Sequence, residues 1–160
     1  MGSILSKCDA TLRRQYGAGE VLLTERQKTG KLFVLASGTV EILRGPTRVA
    51  LISDAGAVFG EMSILLNTAH TATVRAVTDC DVFVYDDAAA FMRSDPEITF
   101  EIAALLAQRL NTATTYLADL KQQYAGSGSH LAMVSDVLAS LVTQPARAYD
   151  PGSDREPDGS

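Results

Sequence analysis

Several features that would define a functional class are missing from this chain. Its two cysteines, Cys8 and Cys80, stand alone with no CxxC pair. They read as ordinary reduced thiols, which fits a cytoplasmic compartment. No apolar run approaches the roughly 20 residues needed to cross a bilayer, and no positively charged start leads into an apolar signal segment. Neither a membrane protein nor a secreted one is expected. Cations are also in deficit, with 14 Lys and Arg against 19 Asp and Glu and a net charge of −5. That argues against a free-standing nucleic-acid binder, whose affinity comes largely from Lys and Arg neutralising phosphates. With only two histidines, His70 and His130, the clustered His and Asp ligands of metal hydrolysis are lacking. Ser63, His70 and Asp79 can be drawn as a triad, but no nucleophile elbow accompanies them. No catalytic residue, metal or cofactor is expected, and His130 reads as a solvated residue opening a helix.

What is present describes a folded domain. Hydrophobic residues make up 46% and charged residues 21% of 160, enough to bury a core without staples. The start Met1-Gly2-Ser3-Ile4-Leu5-Ser6 fits the M-G-x-x-x-[ST] acylation pattern. The pattern is short and Met-Gly-Ser is a common expression-vector remnant, so acylation is not expected.

Ile4, Leu5, Cys8 and Leu12 fall at helical spacing and predict a short leading helix within 4–15. From Tyr16 the period changes. YGAGEVLL, KLFVLASGTVEIL and RVALI are short β-rich runs separated by Gly17, Gly30, Gly45-Pro46 and Asp54-Ala55-Gly56, the punctuation of an antiparallel sheet. Ser37-Gly38 reads as a tight hairpin or a bulge. Two more β segments, about 71–77 and 81–85, follow. Many short strands at this spacing predict a mainly β fold, a barrel or jelly roll, and no internal repeat is found.

The helical part begins near Asp86. Asp95 can cap a helix, Pro96 suits its first position, and Glu97 complements its positive end. That helix is expected over about 96–124. Within it Leu106, Leu110, Ala113, Leu117, Leu120 and Tyr124 alternate in steps of four and three, the seam of two helices packed along their length. With no comparable helix elsewhere in the chain, a homodimer through Leu106, Leu110, Leu117 and Leu120 is expected. Residues 1–125 are therefore read as one domain. Residues 126–143 are read as a Gly-Ser linker and a short amphipathic helix carrying Leu131, Val134, Leu138 and Leu141, and 144–160 as a disordered tail.

The most informative stretch is Phe59 to Val74, FGEMSILLNTAHTATV. A glycine followed by a short helix favours anions, because the first amides of the helix lack intrahelical partners and its dipole attracts negative charge. Gly60 lets the backbone approach closely, 61–66 is the short helix, and the amides of Met62 and Ser63 are candidate phosphate donors. The polar pair His70-Thr71 then heads the next β segment.

The order of YGAGEVLL, KLFVLASGTVEIL and FGEMSILLNTAHTATVRAVTDCDVFVYD before a long helix resembles the cyclic nucleotide-binding domain family. Within it the chain is most similar to the sensor half of catabolite-activator-type (Crp/Fnr-like) regulators, over about residues 12–124. The resemblance implies an eight-stranded antiparallel jelly-roll barrel closed by helices, and cAMP or cGMP as ligand. It also implies a ligand-binding set of Phe59, Gly60, Glu61, Met62, Ser63, His70, Thr71, Ala72 and Thr114. Glu61 would accept a hydrogen bond from the ribose 2′-hydroxyl, as an ionised carboxylate does well. Gly60 and the helix-end amides would contact ribose and cyclic phosphate, Thr71 would reach the phosphate or a guanine base, and Thr114 would contact the base.

His70 departs from the family pattern, which places an arginine there to hold the exocyclic phosphate oxygens. Imidazole is shorter, with an unperturbed pKa of about 6.5. Losing one charge-assisted hydrogen bond, about 1.5–3 kcal/mol, weakens binding roughly tenfold to a hundredfold. Three readings stay open: His70 binds weakly and better in acid, Arg75 or Arg48 supplies the charge, or the pocket has lost nucleotide. The expected function is thus a stand-alone sensor of reduced affinity acting on an unidentified downstream protein, with a dimeric adaptor as the alternative. The 131–142 helix carries no Lys or Arg, and none occurs between Lys121 and Arg147. A DNA-reading module is therefore not expected.

Overall fold

The computed structural model describes residues 2–123 and 129–143. The expected break at 126–128 and the expected tail at 144–160 lie outside the described residues. The chain divides into two compact units, between Leu105 and Leu106.

The first unit opens differently from the sequence expectation. The leading helix is only α1, Gly2–Ser6, and a single 3-10 turn at Ala10–Leu12 follows it. Asp9 accepts from the Thr11 amide at 2.9 Å and caps that turn. Arg13 is then already extended, because 13–16 is a strand. Eight strands follow: β1 Arg13–Tyr16, β2 Val21–Leu23, β3 Leu32–Ser37, β4 Val40–Arg44, β5 Thr47–Ile52, β6 Val58–Phe59, β7 Thr73–Ala76 and β8 Cys80–Tyr85. They pair in a nest, β4 with β5, β3 with β6, β2 with β7 and β1 with β8, all antiparallel.

This is jelly-roll order laid out as two four-stranded sheets, β1-β8-β3-β6 and β2-β7-β4-β5, and in that form it differs from the closed barrel expected. Among the described residues no ladder joins the sheets. Closure would need ladders between edge strands, and of these β2 has three residues and β6 only two. The inner faces share one core of Leu23, Phe33, Leu35, Val40, Phe59, Val74, Ala76, Cys80 and Val82. Both cysteines are free, and burial pushes both thiols above their ordinary range.

The Ser37-Gly38 step is not a hairpin, since β3 and β4 belong to different sheets. It carries the chain across the core edge, with Gly38 at φ +96°, where a Cβ would lie 2.4 Å from the Asp79 carbonyl oxygen. Only glycine fits that corner. The bulge half of the expectation holds, for the β3–β8 register shifts between Leu35 and Ser37. The tight hairpin is instead at Gly45-Pro46, with Arg44 paired to Thr47.

Between β6 and β7 lies α2, Glu61–Leu66, and after β8 come α3, Ala88–Arg93, and α4, Pro96–Gln123. Asp87 accepts from the Ala90 amide at 3.1 Å and Asp95 from the Glu97 amide at 2.8 Å, so each helix starts at a carboxylate cap. Lys7 holds the start of α4 through Asp95 at 2.7 Å, and Ile4 is buried. Tyr85 stacks on Phe91 and accepts from the Asp9 amide. Burial pushes its phenol up to about 12. The second unit holds the rest of α4 and α5, Ser129–Thr143. No described helix is long and apolar enough to cross a membrane.

Candidate functional site

Gly60 sets the geometry of the cassette. It precedes α2 at φ +98°, and a Cβ there would lie 2.5 Å from the Lys31 carbonyl oxygen. The backbone of α2's entry therefore lies directly on the start of β3, which no side-chain-bearing residue would permit. Having no side chain, Gly60 caps none of the first amides of α2. Glu61 is buried in that first turn, while Met62 is exposed. At the other end, the Ser63 hydroxyl donates to the Thr68 carbonyl at 2.5 Å, and the Thr68 amide donates to the Ser63 carbonyl at 3.1 Å. Ser63 thus closes the return loop with its side chain. Asn67 sits in the left-handed region at φ +55° and ends the helix.

His70 is brought into this site by the segment between β2 and β3. Its amide donates to the Gln27 carbonyl and its carbonyl accepts from the Arg26 amide, both at 2.8 Å. Two residues opposite one make a β-bulge, and Arg26 at φ +75° occupies the bulge position that prefers a left-handed glycine. The Gln27 amide also donates to the Thr24 carbonyl, closing a turn with Arg26 at its third residue. The imidazole is buried, and its Nε2 lies 2.9 Å from Thr29 Oγ1. That hydroxyl oxygen also accepts from the Lys31 amide at 3.3 Å, so Thr29 ties the imidazole to the backbone at the start of β3. Burial lowers the His70 pKa below its ordinary value, so the ring is neutral at pH 7. Gly60 and His70 therefore both rest on one short segment, 29–31.

Arg75 and Arg48 are committed elsewhere. Arg75 donates to Glu41 Oε2 at 2.7 Å through Nε, and Arg48 Nε donates to Oε1 at 3.0 Å. Glu41 is buried, and these two partners, Arg75 foremost, hold its carboxyl below the usual range. Arg75 alternates with Val74 and Ala76, which are in the core, and so projects from the opposite face of its sheet. This pairing weighs against the reading in which Arg75 or Arg48 supplies the missing charge.

Of the nine residues expected to bind ligand, eight lie on the β6–α2–β7 segment. Phe59 is a core residue, paired in register with Phe33. Thr71 is exposed and Ala72 half-buried as the chain enters β7. Thr114 belongs to the second unit, half-buried on α4. Sequence reasoning missed Arg26, Gln27, Thr29 and the Lys31 carbonyl. The only signal available was a polar run, TERQKTGK, between two strands. Among the described residues no group of three or more His, Cys, Asp or Glu is placed to hold a metal ion.

A family model for the cyclic nucleotide-binding domain matches residues 13–93. The Cyclic AMP receptor protein of Thermus thermophilus is 33% identical over 107 residues, 63% of this chain and 50% of that protein. The cGMP-dependent protein kinase egl-4 of Caenorhabditis briggsae is 36% identical over 69 residues, 43% of this chain and 9% of the kinase. The crystal structure of the Thermus thermophilus Catabolite Activator Protein matches with a TM-score of 0.60 at 27% identity, covering 94% of this chain and 86% of that one. The matched stretch thus spans half the length of the first relative and a small part of the second.

Proposed function

The chain belongs to the cyclic nucleotide-binding domain family, and from that premise we propose that it is a sensor or regulatory protein that takes cAMP or cGMP into the β6–α2–β7 cassette. The observation that carries this is Gly60, whose backbone is fixed against Lys31 where no Cβ fits, immediately before a buried Glu61. Glu61 receives the ribose hydroxyl, and Thr71 and the first amides of α2 face the phosphate. The names of the relatives include both cAMP and cGMP and leave the base open. In this proposal affinity is reduced, because a neutral imidazole held by Thr29 stands where a permanent cation would grip the phosphate.

The proposed protein is a cytoplasmic homodimer through Leu106, Leu110, Leu117 and Leu120, with residues 1–125 acting as one ligand-responsive domain upstream of an unidentified partner protein. Leu110 is 45% exposed in the single chain, which supports a second copy along that seam. Ligand shifts such a switch only by its differential affinity for two arrangements, so a weak pocket makes a weak switch. The second reading is a dimeric adaptor whose fold no longer binds nucleotide. It is favoured by one observation: the His70 Nε2 already has a partner within the protein, Thr29 Oγ1.

Calorimetry with cAMP and cGMP at about pH 6 and pH 7.5, on this protein and on His70→Arg, separates the two. The sensor reading predicts binding that tightens at the lower pH, since phosphate favours protonated imidazole. Binding seen only in His70→Arg supports the adaptor, and no heat in any combination refutes the sensor.

A further inference from the structure

Arg48 and Arg75 are bound to Glu41. The Lys28 ammonium donates to Asn67 at the end of α2, 2.6 Å away, and Lys31 lies 3.5 Å from Asp86. Arg26 is different. Its backbone is hydrogen-bonded directly to His70, its side chain is exposed, and among the described residues its guanidinium has no hydrogen bond or ion pair. It also holds a left-handed backbone at φ +75° that glycine would adopt without strain. An arginine there destabilises the bulge and gains no contact in return.

A destabilising residue retained beside a binding site is expected where its side chain serves the ligand. We propose that Arg26 supplies the positive charge for the ligand's phosphate that His70 does not, a role that rests on the cyclic-nucleotide reading above. The bulge places Arg26 one backbone hydrogen bond from the residue whose charge is missing. A long side chain carrying a permanently charged planar fork starts from that point. The permanent charge on the phosphate then comes from the β2–β3 segment, while His70 braces that segment through Thr29 and adds charge of its own only as pH falls.

The test is calorimetry with cAMP and cGMP on the full chain and on Arg26→Gly and Arg26→Asn, beside thermal melts of all three. Glycine and asparagine both tolerate the left-handed backbone, so neither variant should misfold. The proposal predicts that Arg26→Gly melts higher than the parent yet binds at least tenfold more weakly, as loss of a charge-assisted contact requires, with Arg26→Asn equally weak. Affinity in Arg26→Gly equal to the parent's overturns the proposal and leaves the sensor reading standing. A glycine variant that melts lower also overturns it, by making Arg26 a structural residue. No binding by the parent chain overturns both readings at once.

Discussion

Gly60 and Gly19 form a matched pair that separates two costs of adding a methyl group. Their backbones are nearly alike, φ +98° and φ +92°, but a Cβ on Gly60 meets the Lys31 carbonyl oxygen at 2.5 Å whereas a Cβ on Gly19 meets nothing within 4 Å. Alanine in a left-handed backbone costs about 1–2 kcal/mol at either site. At Gly60 the contact is with main chain, which no rotamer change relieves, and overpacking of that kind adds about 1–3 kcal/mol. Gly19→Ala should therefore lose about 1–2 kcal/mol and Gly60→Ala about 2–5 kcal/mol, against a total of about 5–15 kcal/mol for a domain. With no tryptophan in the chain, the assay is urea unfolding followed by far-ultraviolet circular dichroism, with the denaturant slope checked to be unchanged. If the two variants fell within about 0.5 kcal/mol of each other, the close approach of α2 to β3 would be wrong.

Three further outcomes are expected. Because burial lowers the His70 pKa, the unfolded chain binds more protons than the folded one between that lowered value and about 6.5. Stability should thus fall as pH drops through this window, and unfolding midpoints at pH 7.5 and 5.5 should converge in His70→Gln. Glu41→Gln leaves the guanidinium groups of Arg48 and Arg75 facing each other without a carboxylate; its melting temperature should drop, and added salt should recover part of the loss by screening. The dimer seam is tested by Leu117→Asp, which should convert a dimeric mass at micromolar concentration to a monomeric one. A monomeric mass in the parent chain refutes the seam.

The elements with local signals were legible in the sequence. Asp95, Pro96 and Glu97 announced the start of α4 by chemistry that acts within one turn, and β-rich runs between turn residues marked most strands. What stayed hidden depended on distant partners. Val58 and Phe59 form a strand only because β3 lies alongside them. Arg13 to Gln15 looked like the end of a helix until β8 claimed them. In the site, Gly60 was legible because its residue type is itself the signal. Thr29 was not, because its role is a hydrogen bond to a residue 41 positions away. Arg26 was the least legible, since a left-handed position normally advertises itself with glycine or asparagine.

The nested pairing of the strands also favours an order of assembly. Gly45-Pro46 is the innermost loop, and the β4–β5 hairpin it closes needs only neighbouring residues. Once that hairpin stands, β3 and β6, then β2 and β7, then β1 and β8 can each be drawn together across a gap already shortened by the pair inside it, which keeps the entropy of each closure small. Attempted from the outside, joining Arg13 to Phe83 would close almost the whole unit at once. A chain emerging from a ribosome meets a further constraint. β8 is the central strand that links β1 to β3, so the sheet formed by β1, β8, β3 and β6 stays incomplete until Tyr85 has been synthesised. Until then β3, with four consecutive buried residues Leu32, Phe33, Val34 and Leu35, is exposed on the side β8 will cover. The interval between β3 and β8 is therefore when this chain is most open to aggregation.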